Sequence, residues 1–104
     1  MMKIIAVTAC PTGVAHTYLA AEALEKAAKQ LGHQIKVETQ GSIGIENEIK
    51  KKDVENADVA ILTKDMAIKN RERFNGLTIV EVSIGDAIKK AGAILKKVEE
   101  DMQK

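Results

Sequence analysis

Residues 4–9 read Ile-Ile-Ala-Val-Thr-Ala, a short run that is apolar at nearly every position and shows no alternation. A strand with both faces apolar has to be covered on both sides, as happens in the middle of a parallel sheet. Immediately behind it, Cys10-Pro11-Thr12-Gly13 leads into a stretch where Ala20, Leu24, Ala27, Ala28 and Leu31 recur at helical spacing. Glu22, Glu25, Lys26, Lys29 and Gln30 are left for solvent, and Gly32 stands where a left-handed C-terminal cap closes a helix. The opening unit is therefore a buried strand, a tight turn and a helix over Val14–Leu31.

The rest of the chain repeats that unit. His33–Thr39 alternates, with Ile35 and Val37 set against Gln34, Lys36 and Glu38, which predicts a half-exposed edge strand. Gln40–Gly44 reads as a loop with two glycines, and Glu46–Lys52 as a short helix with Ile45 and Ile49 facing in. Val59–Leu62 is a third, buried strand, followed by a broken helical pattern over Lys64–Phe74 and an Asn75-Gly76 turn. Leu77–Val82 makes a fourth strand. Ser83 and Asp86 have the spacing of a capping box, and Ile84, Ala87, Ile88, Ala91, Leu95, Val98 and Met102 mark one face of a long terminal helix.

The order βαβαβαβα predicts an α/β, Rossmann-like fold of three layers, with a four-stranded parallel sheet in the order 2-1-3-4 flanked by helices. Strands one and three then border the switch point, where a crevice opens beyond the C-terminal strand ends. Cys10 falls at that crevice. A length of 104 residues suits one domain, residues 1–104.

Composition removes several functions. Tyr18 and Phe74 are the only aromatic residues, too few to stack single-stranded nucleic acid. The 16 basic and 15 acidic residues are spread evenly, so no basic stripe marks a duplex-binding face. Lys50-Lys51-Lys52 is read as a solvated helix face. The apolar run after Lys3 is too short for a membrane span or a signal core, and a lone cysteine suits a reducing, cytoplasmic compartment.

The turn Cys10-Pro11-Thr12-Gly13-Val14-Ala15-His16-Thr17 has the parts of a phosphate cradle. Pro11 sets a corner, Gly13 lets the backbone approach a ligand, and Thr12 and Thr17 bring hydroxyls. A helix N-terminus gathers N–H groups, attracts anions and favours a thiolate. His16 can donate to a phosphate oxygen or pair with the thiolate. A buried, inert Cys10 and an idle His16 are the plainer alternatives. No Gly-Lys-Ser/Thr follows, so this is no Walker loop. No second cysteine supports a dithiol cycle, and no Cys/His cluster has zinc spacing. A Cys-x5-Arg phosphatase needs a guanidinium where His16 stands, which leaves hydrolysis as the weaker reading beside phosphoryl carriage.

Taken together, Cys10–Thr17 with Ala20-Ala21-Glu22-Ala23-Leu24, Glu38-Thr39-Gln40-Gly41-Ser42 with Gly44, Ala57-Asp58, and Arg73-Phe74-Asn75-Gly76 make the chain resemble a known family over its whole length. That family is the IIB components of the fructose/mannitol branch of the bacterial phosphoenolpyruvate-dependent sugar phosphotransferase system. The resemblance implies that Cys10 accepts a phosphoryl group from a phosphohistidine on a IIA protein and passes it to a sugar, fructose first among the choices, held by the membrane component IIC. It implies a cradle of N–H groups over Thr12–His16, with His16 or Thr17 adding a side-chain donor, and Gln40 and Gly41 bracing the loop or touching a partner. No metal and no cofactor are implied. The expected chain is a cytoplasmic monomer that meets IIA and IIC in turn, at the inner face of the membrane when on IIC, with no nucleic-acid partner. The rival readings are a cysteine phosphatase of the low-molecular-weight type and a non-catalytic regulatory module.

Overall fold

The computed structural model describes residues 1–10, 14–41 and 44–103. The first strand, β1 (Lys3–Ala9), is buried at every position from Ile4 onward, as its unbroken apolar run requires. It feeds helix α1 (Val14–Gln30), which ends as predicted at Gly32. Gly32 takes φ +78°, and the N–H groups of Gly32 and His33 bond the carbonyls of Lys29 and Ala28 at 3.1 and 2.9 Å. These two bonds are the Schellman pattern, which a residue carrying Cβ enters only with strain.

Strand β2 (Gln34–Gly41) runs parallel to β1, with Ile4 opposite Ile35 and Ala9 opposite Gln40. Here the structure corrects the sequence reading. Gln40 and Gly41 belong to the strand, and the chain doubles back into a short antiparallel strand, β3 (Gly44–Glu46), so β2 is not an edge. Gly44 at φ +110° permits the reversal, and Asn47, left-handed at φ 55°, ends it by donating its side-chain amide to Val37 O at 2.9 Å. The expected Glu46–Lys52 helix is displaced to α2 (Lys51–Asn56), because residues 44–46 are taken by the sheet. Ile49 is still buried, from a position ahead of the helix. Lys50, Lys51 and Lys52 are exposed, as a solvated face should be.

Strands β4 (Val59–Thr63) and β5 (Thr78–Val82) complete a five-stranded sheet in the order β3-β2-β1-β4-β5. Its four parallel strands keep the expected order, with β3 as an antiparallel addition. Between β4 and β5 the broken pattern yields only a 3-10 turn, Arg71–Phe74, entered from Asn70 at φ 59°. The long terminal helix is two helices, α3 (Ile84–Lys89) and α4 (Ala91–Met102), because Lys90 leaves helical geometry at φ −127°, ψ 29°. Ala87, Ala91, Leu95 and Val98 remain buried on one face through the break. Ser83 caps α3 by accepting the Asp86 N–H at 3.1 Å, while Asp65 takes the Ile84 N–H at 2.7 Å.

Two apolar clusters lie on the two sides of the sheet. Ile4, Ala6, Val37, Val59 and Ile61 pack with α1, α3 and α4, whereas Ile5, Val7, Ala60 and Leu62 pack with Ile49, Ile68 and Phe74. Helix α1 thus leaves β1 onto one face and the segment after β4 crosses the other, so the topological switch point falls between those strands' C-terminal ends.

Candidate functional site

Cys10 follows the last residue of β1 and lies four positions before the start of α1. It is buried, packing with Ala20, Ala21 and Leu24 of the α1 side. Its Sγ stands 3.8 Å from His16 Nδ1, within range of a sulfur hydrogen bond, and His16 itself is exposed in the first turn of α1. The first-turn imidazole and the thiol therefore meet, six residues apart in the sequence. Pro11, Thr12 and Gly13, expected to form the cradle, lie outside the described residues, as does the side chain of Val14. Ala15 is exposed beside His16.

Buried hydroxyls hold both ends of this turn. Thr8 Oγ1 donates to the carbonyl of Thr17 at 3.0 Å, tying the end of β1 to the first turn of α1. Thr17 is itself buried, so it sits beneath the turn while His16 faces solvent. On the other side, the Ala9 N–H donates to Thr63 Oγ1 at 2.9 Å, and the same hydroxyl donates to Ala9 O at 3.3 Å. Neither Thr8 nor Thr63 stood out in the sequence, since threonine in an apolar strand reads as an ordinary β-former.

Gln40 lies opposite Ala9, one residue from Cys10 in the adjoining strand. Its amide pairs with the backbone of residue 69 in both senses: Lys69 N–H donates to Gln40 Oε1 at 2.9 Å, and Gln40 Nε2 donates to Lys69 O at 3.2 Å. The same Nε2 donates to Glu38 Oε2 at 2.7 Å. Glu38 is fully buried and is gripped by Arg73 through Nη1 to Oε1 at 2.8 Å and Nη2 to Oε2 at 2.6 Å. The Ile49 N–H adds a fourth bond to the carboxylate at 2.8 Å. Burial, the largest single influence, pushes the Glu38 pKa up. The hydrogen bonds from Arg73, Gln40 and Ile49, with the charge of Arg73, outweigh it and leave the carboxyl below its ordinary 4.5. The motif blocks around Glu38 and Arg73 are thus joined by one ion pair, a pairing that the sequence reading did not make. Arg71 and Arg73 are the two arginines of the sequence, and a glutamate beside Val37 in a strand was the available signal.

Both arginines are engaged away from the thiol, Arg73 with Glu38 and Arg71 with Glu81 at 3.2 Å. Among the described residues no group of three His, Cys, Asp or Glu side chains could hold a metal ion, and no helix is long and apolar enough to cross a membrane. The His33 side chain, just ahead of β2, is largely buried. Its Nδ1 accepts the Met2 N–H at 2.9 Å and its Nε2 meets Glu99 at 2.6 Å, joining the start of the sheet to α4.

Comparison with known proteins places these features in context. The family model described as "PTS system, Lactose/Cellobiose specific IIB subunit" matches residues 5–97. The "PTS system fructose-like EIIB component 2" of Escherichia coli K12 is 67% identical over 99 residues, covering 95% of this chain and 93% of the relative. A solved Enzyme IIB subunit of the same bacterium's PTS system superposes with a TM-score of 0.92 at 41% identity, covering 98% of this chain and 94% of that one. A domain of the fructose-specific IIABC component of Borrelia burgdorferi gives 0.87 at 50% identity, over 92% and 91% of the two chains.

Proposed function

The chain belongs to the IIB family of the sugar phosphotransferase system, a fructose-like component that serves in sugar phosphotransfer, and from that premise we propose that Cys10 is its phosphoryl carrier. The thiolate attacks the phosphorus of a phosphohistidine on a IIA protein; the S–P bond forms as the P–N bond breaks. In the second step a hydroxyl of the sugar held by IIC attacks the same phosphorus, the S–P bond breaks, and the hydroxyl proton passes to solvent or base. Metaphosphate-like transfer of this kind asks for in-line placement and hydrogen-bond donors rather than strong acid or base chemistry.

The observation that carries the reading is the location of Cys10: at the end of β1, ahead of the α1 N-terminus, with His16 Nδ1 at 3.8 Å. We assign the cradle to the N–H groups of Thr12–His16, and to His16 the role of steadying the thiolate or a phosphate oxygen. Gln40, opposite Ala9, and Gly41 after it brace the loop or touch a partner. A single domain, residues 1–104, does this work in the cytoplasm, docking IIA and IIC alternately as a monomer. Fructose is the sugar favoured by the names of the relatives reported above. The phosphatase alternative lacks its guanidinium, because Arg73 is bound to Glu38 and Arg71 to Glu81.

Incubation with phosphoenolpyruvate, the two general phosphocarrier proteins and a IIA protein tests the proposal by mass spectrometry. One phosphate on Cys10, absent from Cys10→Ser, is expected. An unmodified wild type that hydrolyses an aryl phosphate would establish the phosphatase instead, and neither modification nor turnover would leave a binding module.

A further inference from the structure

The β1–β4 ladder pairs Ile4 with Val59, Ile5 with Ala60, Ala6 with Ile61 and Val7 with Leu62, and ends there. One step further the strands are joined by a side chain. Thr63 Oγ1 accepts the N–H of Ala9 at 2.9 Å and donates to the C=O of Ala9 at 3.3 Å, so one hydroxyl replaces the two partners a continuing strand would have offered. Thr63 is only 1% exposed, which leaves no water to compete for those groups. Its own backbone is secured from the far side, because Thr63 pairs with Val82 in the β4–β5 ladder and the next N–H, of Lys64, bonds Val82 O at 2.9 Å.

The Ala9 carbonyl carbon is bonded to the nitrogen of Cys10, so whatever holds that carbonyl sets the direction in which the Cys10 Cα–Cβ bond leaves the sheet. On the β2 side Ala9 is matched with Gln40, and on the β4 side its N–H and C=O both bond the Thr63 hydroxyl. We propose that Thr63 is a positioning residue for phosphoryl transfer: its hydroxyl bridges the opening between β1 and β4 and holds the Ala9–Cys10 peptide so that the sulfur meets phosphorus in line. The proposal rests on the carrier reading of Cys10. A crevice at a switch point requires the two strands to part, and parting would otherwise strand the last backbone groups before the nucleophile. A threonine, whose hydroxyl both donates and accepts, satisfies both without closing the crevice. Misplacement by an ångström or less is enough to slow an in-line reaction by one to two orders of magnitude.

Two substitutions separate this role from packing. Thr63→Val keeps the shape and removes the hydroxyl; Thr63→Ser keeps the hydroxyl and removes a methyl from the core. Single-turnover transfer from phosphorylated IIA should be slowed about tenfold or more in Thr63→Val at saturating IIA, with an unchanged half-saturating concentration, and should stay within about twofold of wild type in Thr63→Ser. A Thr63→Val protein that transfers at the wild-type rate, or variants whose rates simply follow their melting temperatures, would overturn the proposal. Amide exchange of Ala9 supplies a readout independent of phosphate: protection retained in Thr63→Ser and lost in Thr63→Val is expected, and wild-type protection in Thr63→Val would refute the bridge. A wild type that accepts no phosphate while the exchange pattern holds would remove the carrier reading and, with it, the catalytic part of the Thr63 role, leaving the bridge itself demonstrated.

Discussion

The Arg73 guanidinium meets the Glu38 carboxylate end-on, Nη1 to Oε1 at 2.8 Å and Nη2 to Oε2 at 2.6 Å, at a point where Glu38 has no exposure to solvent. Breaking such a pair from one side leaves the other charge buried and uncompensated, a loss of about 3 kcal/mol or more. Glu38→Gln is expected to lower the unfolding free energy obtained from urea denaturation by that amount, and Arg73→Lys, which cannot form the fork, by a smaller step in the same direction. Replacing both residues by Met should recover most of the loss. A Glu38→Gln protein as stable as wild type would show that the pair is idle.

The same carboxylate predicts an acid limb. Glu38 ionises below its ordinary 4.5 in the folded chain, so unfolding binds a proton in acid and stability rises with pH there. Its contribution is complete above about pH 4.5 and is lost as pH falls through the lower folded value. Asp53 acts in the same sense, held below 3.8 first by the Lys36 ammonium and then by the Lys50 N–H. Thermal melts from pH 6 down to about pH 3 should fall less steeply in Glu38→Gln than in wild type. Parallel curves for the two proteins would contradict the linkage.

Gln40 holds residue 69 as a strand would, through one donated and one accepted bond. Gln40→Leu removes both and also strips a donor from Glu38, so local opening of the segment after β4 should precede global unfolding. Hydrogen exchange at Lys69 is expected to quicken by about tenfold for each 1.4 kcal/mol of local stability lost. Unchanged exchange at Lys69 would mean that other contacts hold the segment.

His16 touches the thiol without being enclosed with it. Its replacement by Ala should slow Cys10 phosphorylation by about tenfold, short of the losses seen when a required acid or base is removed. Complete loss of acceptance in His16→Ala, with folding intact by circular dichroism, would raise the imidazole to an indispensable group.

His33 links Met2 to Glu99 across the start of the sheet and α4. Removing the ring leaves a half-buried N–H and a carboxylate without their partner, and His33→Ala is expected to lose about 1 kcal/mol in chemical denaturation. The effect on phosphoryl acceptance should be nil, since the contact lies at the opposite end of β1 from Cys10.

Much of this architecture was legible locally. The unbroken apolar run of β1 demanded a two-sided cover, the spacing through Leu31 demanded a helix, and Gly32 announced its end; each depends on neighbours within a few residues. The β2 reading failed for a different reason. Alternation made Glu38 a solvent residue, yet Arg73 neutralises it from 35 positions away, and a charge so paired can be buried. The β3 strand escaped notice because three residues carry almost no periodicity, and the break at Lys90 because the apolar face runs through it.

The sequence by itself determined the α/β alternation, the parallel order β2-β1-β4-β5, the cysteine at a strand-to-helix turn, and a histidine six residues after it. Only the tertiary structure decided that Thr63 holds the peptide leading to Cys10, that Thr8 pins Thr17, and that Glu38, Gln40, Lys69 and Arg73 form one assembly beside them. Periodicity reports which face of an element is dry, and it does so from short-range spacing alone. A hydrogen bond between residues 54 positions apart, as between Ala9 and Thr63, exists only once the strands are side by side, and no local pattern encodes it.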